Sequence, residues 1–287
     1  MADGRTITAN GIHFRVMEMG KGPLVLLLHG FPDTAHTWLE LMPVLADAGY
    51  HAVAPFMRGY SPTSAPPDGD YSAQALGDDV LSLVAGHNRE QAIVIGHDWG
   101  AFSAYMAAGM DPLRISKMIT LAIPHPRAMR VRRLGKAWHF ALFQTPGIRR
   151  WLAAGDFAAI ERTWRRWSPH WEFTAAELQA VKACFGAPDG LQGPIAYYRH
   201  MPRMLTTASG RAMRAVSSRR CPVPTLTIWG ARDGLFNDAT FAATTDCFSG
   251  PYKQLRVAGA GHFVHREAPD EVARAILAFL GYPGVGA

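Results

Sequence analysis

Ala92-Ile93-Val94-Ile95-Gly96-His97-Asp98-Trp99-Gly100 decides how the rest of this 287-residue chain is read. Ala92 to Ile95 is a short apolar run rich in β-branched residues, which suits a strand buried on both faces of a parallel sheet. From Trp99 the period changes, placing Phe102, Tyr105 and Met106 on one helical face before Asp111-Pro112 ends the pattern. Between strand and helix stands Gly96-His97-Asp98-Trp99-Gly100, a Gly-x-nucleophile-x-Gly turn whose glycines permit a sharp reversal and close strand–helix packing. The residue at its tip is aspartate, not serine. A serine in this place attacks acyl carbons, whereas a carboxylate suits displacement at a saturated carbon and leaves an ester for water to cleave. The turn therefore predicts a substrate with an epoxide or carbon–halogen bond. A carboxylate at the first turn of a helix is also kept ionised by the helix dipole.

On the N-terminal side, Thr6 to Thr8 and His13 to Met19 read as strands joined by an Asn10-Gly11 type I′ turn. Pro23 to Leu28 is a continuous apolar run and reads as a central strand. It ends in His29-Gly30-Phe31-Pro32-Asp33, where the glycine admits a close backbone approach and the amide of Phe31 can join that of Trp99 in an oxyanion hole. Trp38, Leu41, Leu45 and Ala46 mark a helix before the strand His51 to Phe56, and a further helix spans Ser72 to Ala85.

On the C-terminal side Ser116 to Ile123 is the next strand, after which the alternation stops. Pro124 to Arg220 carries helix formers and five tryptophans, Trp138, Trp151, Trp164, Trp167 and Trp171, with no buried-strand signal. This is read as a helical cap inserted at 124–220 between two parts of an α/β core, 1–123 and 221–287. Thr225 to Trp229 and Tyr252 to Val257 resume the sheet, and Pro269 to Leu280 is the last helix, with Val272, Ala275, Ile276 and Phe279 on its inner face. Alternating strands and helices call for a doubly wound, mostly parallel sheet. Asp98, Asp233 and His262 then stand at the carboxyl ends of three core strands, where sites in open α/β sheets gather.

Composition narrows the partners. Net charge is +6, and the basic residues concentrate in Pro124 to Arg220. Arg130, Arg132, Arg133, Arg149, Arg150, Arg162, Arg165 and Arg166 are interleaved with apolar residues at helical spacings, the pattern of a solvated outer face and not of a nucleic-acid site. No apolar run at the start resembles a signal peptide and none is long enough to span a bilayer, so no membrane partner and a cytoplasmic location are expected. Cys184, Cys221 and Cys247 lack metal-type spacing, so no metal or cofactor is expected. The sequence leaves a homodimer open.

Together these motifs resemble the α/β-hydrolase superfamily over nearly the whole chain, specifically its epoxide hydrolase and haloalkane dehalogenase branch. The order nucleophile, acid, histidine is that of the superfamily. The resemblance implies that Asp98 attacks carbon and that His262, oriented by Asp233, activates the water that hydrolyses the ester. Epoxide hydrolases place two cap tyrosines at the opening oxygen, the second within a Tyr-Arg pair. Tyr198 of Tyr197-Tyr198-Arg199 fits the second, while the usual position of the first falls at Leu142. His139, in Trp138-His139-Phe140, lies one helical turn from Leu142 and is similar to the histidine of a smaller group that uses a His/Tyr pair.

Two alternatives share the nucleophile. Many haloalkane dehalogenases carry an asparagine where Phe31 stands, and Phe31 has no side-chain donor for halide. Fluoroacetate dehalogenases resemble Asp-Arg-x-x-Arg after the elbow histidine, where this chain has Trp99 and Phe102. Some α/β-hydrolase folds are small-molecule receptors, but such proteins need not keep a triad. The expectation is an epoxide hydrolase acting on a small epoxide and water.

Overall fold

The structure is a computed structural model that describes residues 3–129 and 139–282. In the first part of the core, β1 (Asp3–Ala9) and β2 (Ile12–Met19) form a hairpin, followed by β3 (Leu24–Leu28), α1 (Leu41–Asp47), β4 (His51–Pro55), α2 (Ala73–Gly86), β5 (Ala92–His97), α3 (Trp99–Met110) and β6 (Ile115–Leu121). The helical insertion contributes α4 (His139–Leu142), α5 (Ile148–Trp167), α6 (Ala175–Gly186), α7 (Gln192–His200), α8 (Arg203–Thr206) and α9 (Ala208–Ser217). The core then closes with β7 (Thr225–Gly230), α10 (Asp238–Ala242), β8 (Tyr252–Val257), α11 (Val264–Glu267) and α12 (Pro269–Leu280).

Eight strands form one sheet in the order β1-β2-β4-β3-β5-β6-β7-β8. The pairs β1/β2 and β2/β4 are antiparallel, and the others are parallel. Asn10 and Gly11 both have positive φ, 46° and 70°, as a type I′ turn requires. All six residues of β5 are buried, in keeping with its uninterrupted apolar run. Register sets the site: Leu28 pairs with Gly96, His97 with Leu121, Leu121 with Ile228, and Gly230 with Val257. The loops after β3, β5, β7 and β8 therefore leave the sheet at one level and on one edge.

One expectation about a helix face changes, that for α12. In α3 every residue from Trp99 to Ala108 is buried, so Phe102, Tyr105 and Met106 share one face of a helix that is covered on its other faces too. The helix lies against the sheet, α2 and the insertion helix α9, and a helix apolar all round is stable only when covered all round. In α12 the buried residues are Val272, Ile276, Leu277 and Leu280, while Ala275 and Phe279 are half-buried. Within the insertion, α5 breaks at Ala154–Phe157, whose backbone leaves the helical region. Arg149, Arg150, Arg162, Arg165 and Arg166 are exposed while Trp164 and Trp167 are buried, so these arginines form the outer face expected of them. Arg130, Arg132, Arg133 and Trp138 lie outside the described residues. Among the described residues no helix is long and apolar enough to cross a membrane.

Candidate active site

Asp98 sits at the tip of the β5–α3 turn with φ 50° and ψ −118°, a conformation uncommon for a residue with a side chain. Such strain persists only where the surroundings fix it, and here the glycines allow them to close in. A Cβ on Gly100 would lie 2.0 Å from the carbonyl oxygen of Leu28, and one on Gly30 would lie 2.4 Å from Cβ of Asp98. The absent side chain at Gly30 lets the loop after β3 reach Asp98, where the Phe31 amide donates to Asp98 Oδ1 at 2.9 Å. Gly30→Ala should therefore displace that amide. We expect a stability loss of about 1–3 kcal/mol in denaturant unfolding, typical of overpacking, together with reduced turnover.

His262 and Asp233 complete the constellation. His262 Nδ1 lies 2.9 Å from Asp233 Oδ2, and its Nε2 faces Asp98 Oδ2 at 3.5 Å. Asp233 Oδ1 accepts from the amides of Leu235 and Phe236 at 2.6 and 3.2 Å, so this carboxylate is held at both oxygens. All three side chains are buried. Burial opposes the charge on His262, yet the carboxylates of Asp233 and Asp98 push its pKa up to about 10. Burial would also raise Asp98, but His262 and His97 beside it and the Phe31 amide hold its carboxyl below the ordinary value. The resting pair is thus an ionised carboxylate facing an imidazolium. The amide of Trp99 opens α3 beside Asp98, among helix N-terminal N–H groups that have no intrahelical acceptor.

The insertion lowers two polar side chains onto this floor. Asp98, Trp99, Phe102, Ile123, Met129, His139, Phe140, Tyr198, Met201, Leu235 and Phe236 line one cavity. Tyr198 is 1% exposed, and its ring centroid lies 5.0 Å from that of Trp99 and 5.6 Å from that of His139. Burial first, then the Asp98 charge, raise the Tyr198 pKa well above its ordinary value, so its hydroxyl keeps its proton. Leu142 is half-buried and does not line the cavity, which His139 does. The neighbours of Tyr198 on either side hold it in place. Tyr197 donates to the Arg58 carbonyl of the core at 3.0 Å, and Arg199 donates to the carbonyls of Phe143 and Thr145 at 3.2 Å each. One residue anchors α7, the next faces the cavity, and the third holds the end of α4, which carries His139.

Other contributors escaped the sequence reading. His97 donates through Nε2 to the carbonyl of His262 at 3.0 Å, steadying that histidine from behind. Trp167 places its ring between the two histidines, with centroids 5.1 Å from His262 and 5.3 Å from His139. The first could have been suspected from its place beside Asp98; the second carries no local signal, because its partners lie far away in the chain.

A buried carboxylate on a strand-to-helix turn, an Asp–His pair at neighbouring strand ends and a helical cover define a hydrolase with Asp-His-Asp-type machinery. Comparison with known proteins agrees. The family model for the alpha/beta hydrolase fold matches residues 23–269. Epoxide hydrolase A of Mycobacterium tuberculosis is 31% identical, the alignment covering 96% of each chain. The crystal structure of epoxide hydrolase A from Mycobacterium thermoresistibile superposes with a TM-score of 0.84 at 30% identity, covering 100% of this chain and 99% of that one. The epoxide hydrolase VrEH1 of Vigna radiata gives a TM-score of 0.85 at 25% identity over 98% of both chains. The chain belongs to the α/β-hydrolase family, in its epoxide-hydrolase branch.

Proposed function

We propose that this enzyme converts an epoxide to a vicinal diol through an ester on Asp98, with the segment from Pro124 to Arg220 acting as the cap. The observation that carries this reading is an apolar cavity on which Asp98, Tyr198 and His139 converge. Asp98 Oδ2 attacks a ring carbon and the carbon–oxygen bond breaks. The released oxygen takes the phenolic proton of Tyr198, and His139 shares in holding it. Asp98 Oδ1, already against the Phe31 amide, becomes the carbonyl oxygen of the ester.

Alkylation cancels the charge on Asp98, one of the influences that keep His262 protonated. The imidazolium gives up its proton, which restores the Tyr198 hydroxyl, and the neutral ring is now a base. It takes one proton from water, whose oxygen attacks the ester carbonyl, while negative charge on Oδ1 is met by the amides of Phe31 and Trp99. Collapse breaks the acyl–oxygen bond and the leaving alkoxide takes up the second proton of the water. The carboxylate–imidazolium pair is thereby restored, ready for the next epoxide.

Among the described residues lining the cavity there is no lysine or arginine to hold a substrate carboxylate, which disfavours haloacids. A panel of epoxides, haloalkanes and fluoroacetate, with diol and halide measured separately, should give diol from epoxides; halide as the main product would overturn the reading. Tyr198→Phe removes only the hydroxyl, so pre-steady-state kinetics should show alkylation slowed by ~10²–10⁴-fold with hydrolysis of the formed ester nearly unchanged. His139→Leu should slow the same step. Equal slowing of both steps in Tyr198→Phe would point to a distorted cap, and unchanged alkylation in both variants would remove the pair from the mechanism.

A further inference from the structure

Three successive amides in the loop that carries the base all end on groups outside that loop. Gly261 N donates to Glu267 Oε2 at 2.8 Å, His262 N to the Trp167 carbonyl at 3.1 Å, and Phe263 N to Ser168 Oγ at 3.0 Å. Ser168 Oγ in turn donates to Glu267 Oε1 at 2.5 Å, which closes a ring of bonds around the loop. The Trp167 carbonyl also accepts from Gly234 N at 3.0 Å, next to the acid Asp233. The acid loop and the base loop thus share one acceptor, and that acceptor belongs to the last residue of α5.

Steric fit supports the same contact. A Cβ on Gly261 would lie 2.7 Å from Cα of Ser168, and one on Gly234 would lie 2.5 Å from the Arg166 carbonyl oxygen. Each loop has a glycine where the end of α5 presses against it. Ser168 is 1% exposed, so these bonds face little competition from water.

We infer that Ser168 and Glu267 are positioning residues that tie the end of the cap helix to the His262 loop, so that seating of the cap sets the base for ester hydrolysis. This rests on the ester mechanism proposed above. The effect falls on one step because alkylation needs Asp98, Tyr198 and His139, none of which belongs to the ring. Hydrolysis needs His262 aimed at a water beside Asp98, and a displacement of about 1 Å in such a geometry can cost ~10²-fold.

Glu267→Gln tests the ring with almost no change of shape. A glutamine can meet Gly261 N and Ser168 Oγ only by setting a donor against a donor or by leaving the serine proton without an acceptor. Ser168→Ala removes the link outright, leaving Phe263 N and Glu267 Oε1 unpaired. In single-turnover mass spectrometry of the full chain with an epoxide that the wild type converts, both variants should form the adduct within about 3-fold of the wild-type rate. They should lose it ~10- to 100-fold more slowly. Thermal unfolding checks that the fold is retained, and if Ser168→Ala fails to fold, Glu267→Gln carries the test alone. Adduct decay at the wild-type rate, or formation and decay slowed alike, would overturn the inference. A wild-type protein that forms no adduct with any epoxide overturns the proposed function itself, and this inference with it.

Discussion

Asp98→Ala should lower diol formation by at least ~10⁴-fold, the usual cost of removing a nucleophile. The loss is chemical. Tyr198 and His139 stay in the cavity of such a variant, and the Phe31 amide still faces the turn, but no atom remains to form a bond to carbon. Aspartate already holds a Cβ at φ 50°, so alanine brings no new steric strain to the turn, and the ~5.5 kcal/mol that a 10⁴-fold loss of rate represents is not a folding effect. Circular dichroism and thermal unfolding should therefore show a folded protein. Residual turnover above about one part in a thousand of wild type would argue against covalent catalysis.

His262→Ala should separate the two halves of the reaction. Attack on the epoxide uses an Asp98 that is already ionised, so the variant should still be alkylated; with no base for the water, the ester should persist. Mass spectrometry should find the Asp98 peptide heavier by the mass of the epoxide, at close to one equivalent per chain, while steady-state diol release falls by several orders of magnitude. A folded variant that forms no adduct would mean that the imidazolium is required before the ester exists. That outcome would move the role of the 3.5 Å Asp98–His262 pair from hydrolysis to alkylation.

The sequence carried those parts of the molecule in which chemistry is written locally. The apolar run Ala92 to Ile95 is legible because a strand covered on both faces is buried throughout, although β5 runs two residues further through Gly96 and His97, and the Asn10-Gly11 turn because few other residue pairs accept positive φ at both positions. Asp98, Asp233 and His262 come together because strand ends are fixed points, and a parallel sheet brings them to one edge whatever lies between. The misses share a different physics. The inner face assigned to α12 took Ala275 and Phe279 in place of Leu277 and Leu280, because the period of a helix does not say which neighbours cover it. The break in α5 left no mark, since Gly155-Asp156-Phe157 is not a recognisable stop. Ser168 and Glu267 act through backbone amides in a loop about a hundred residues from the serine. A main-chain acceptor such as the Trp167 carbonyl has no sequence signature at all.

The insertion between β6 and β7 also sets an order of events during synthesis. A ribosome delivers Asp98 well over a hundred residues before Asp233 and His262, so the elbow waits for its counter-ion while the entire cap is made. A carboxylate enclosed without a positive partner is expensive. The nascent first part of the core therefore gains its full stability only when β7 and β8 dock, late in translation, and the last strands added are those that render Asp98 electrically complete.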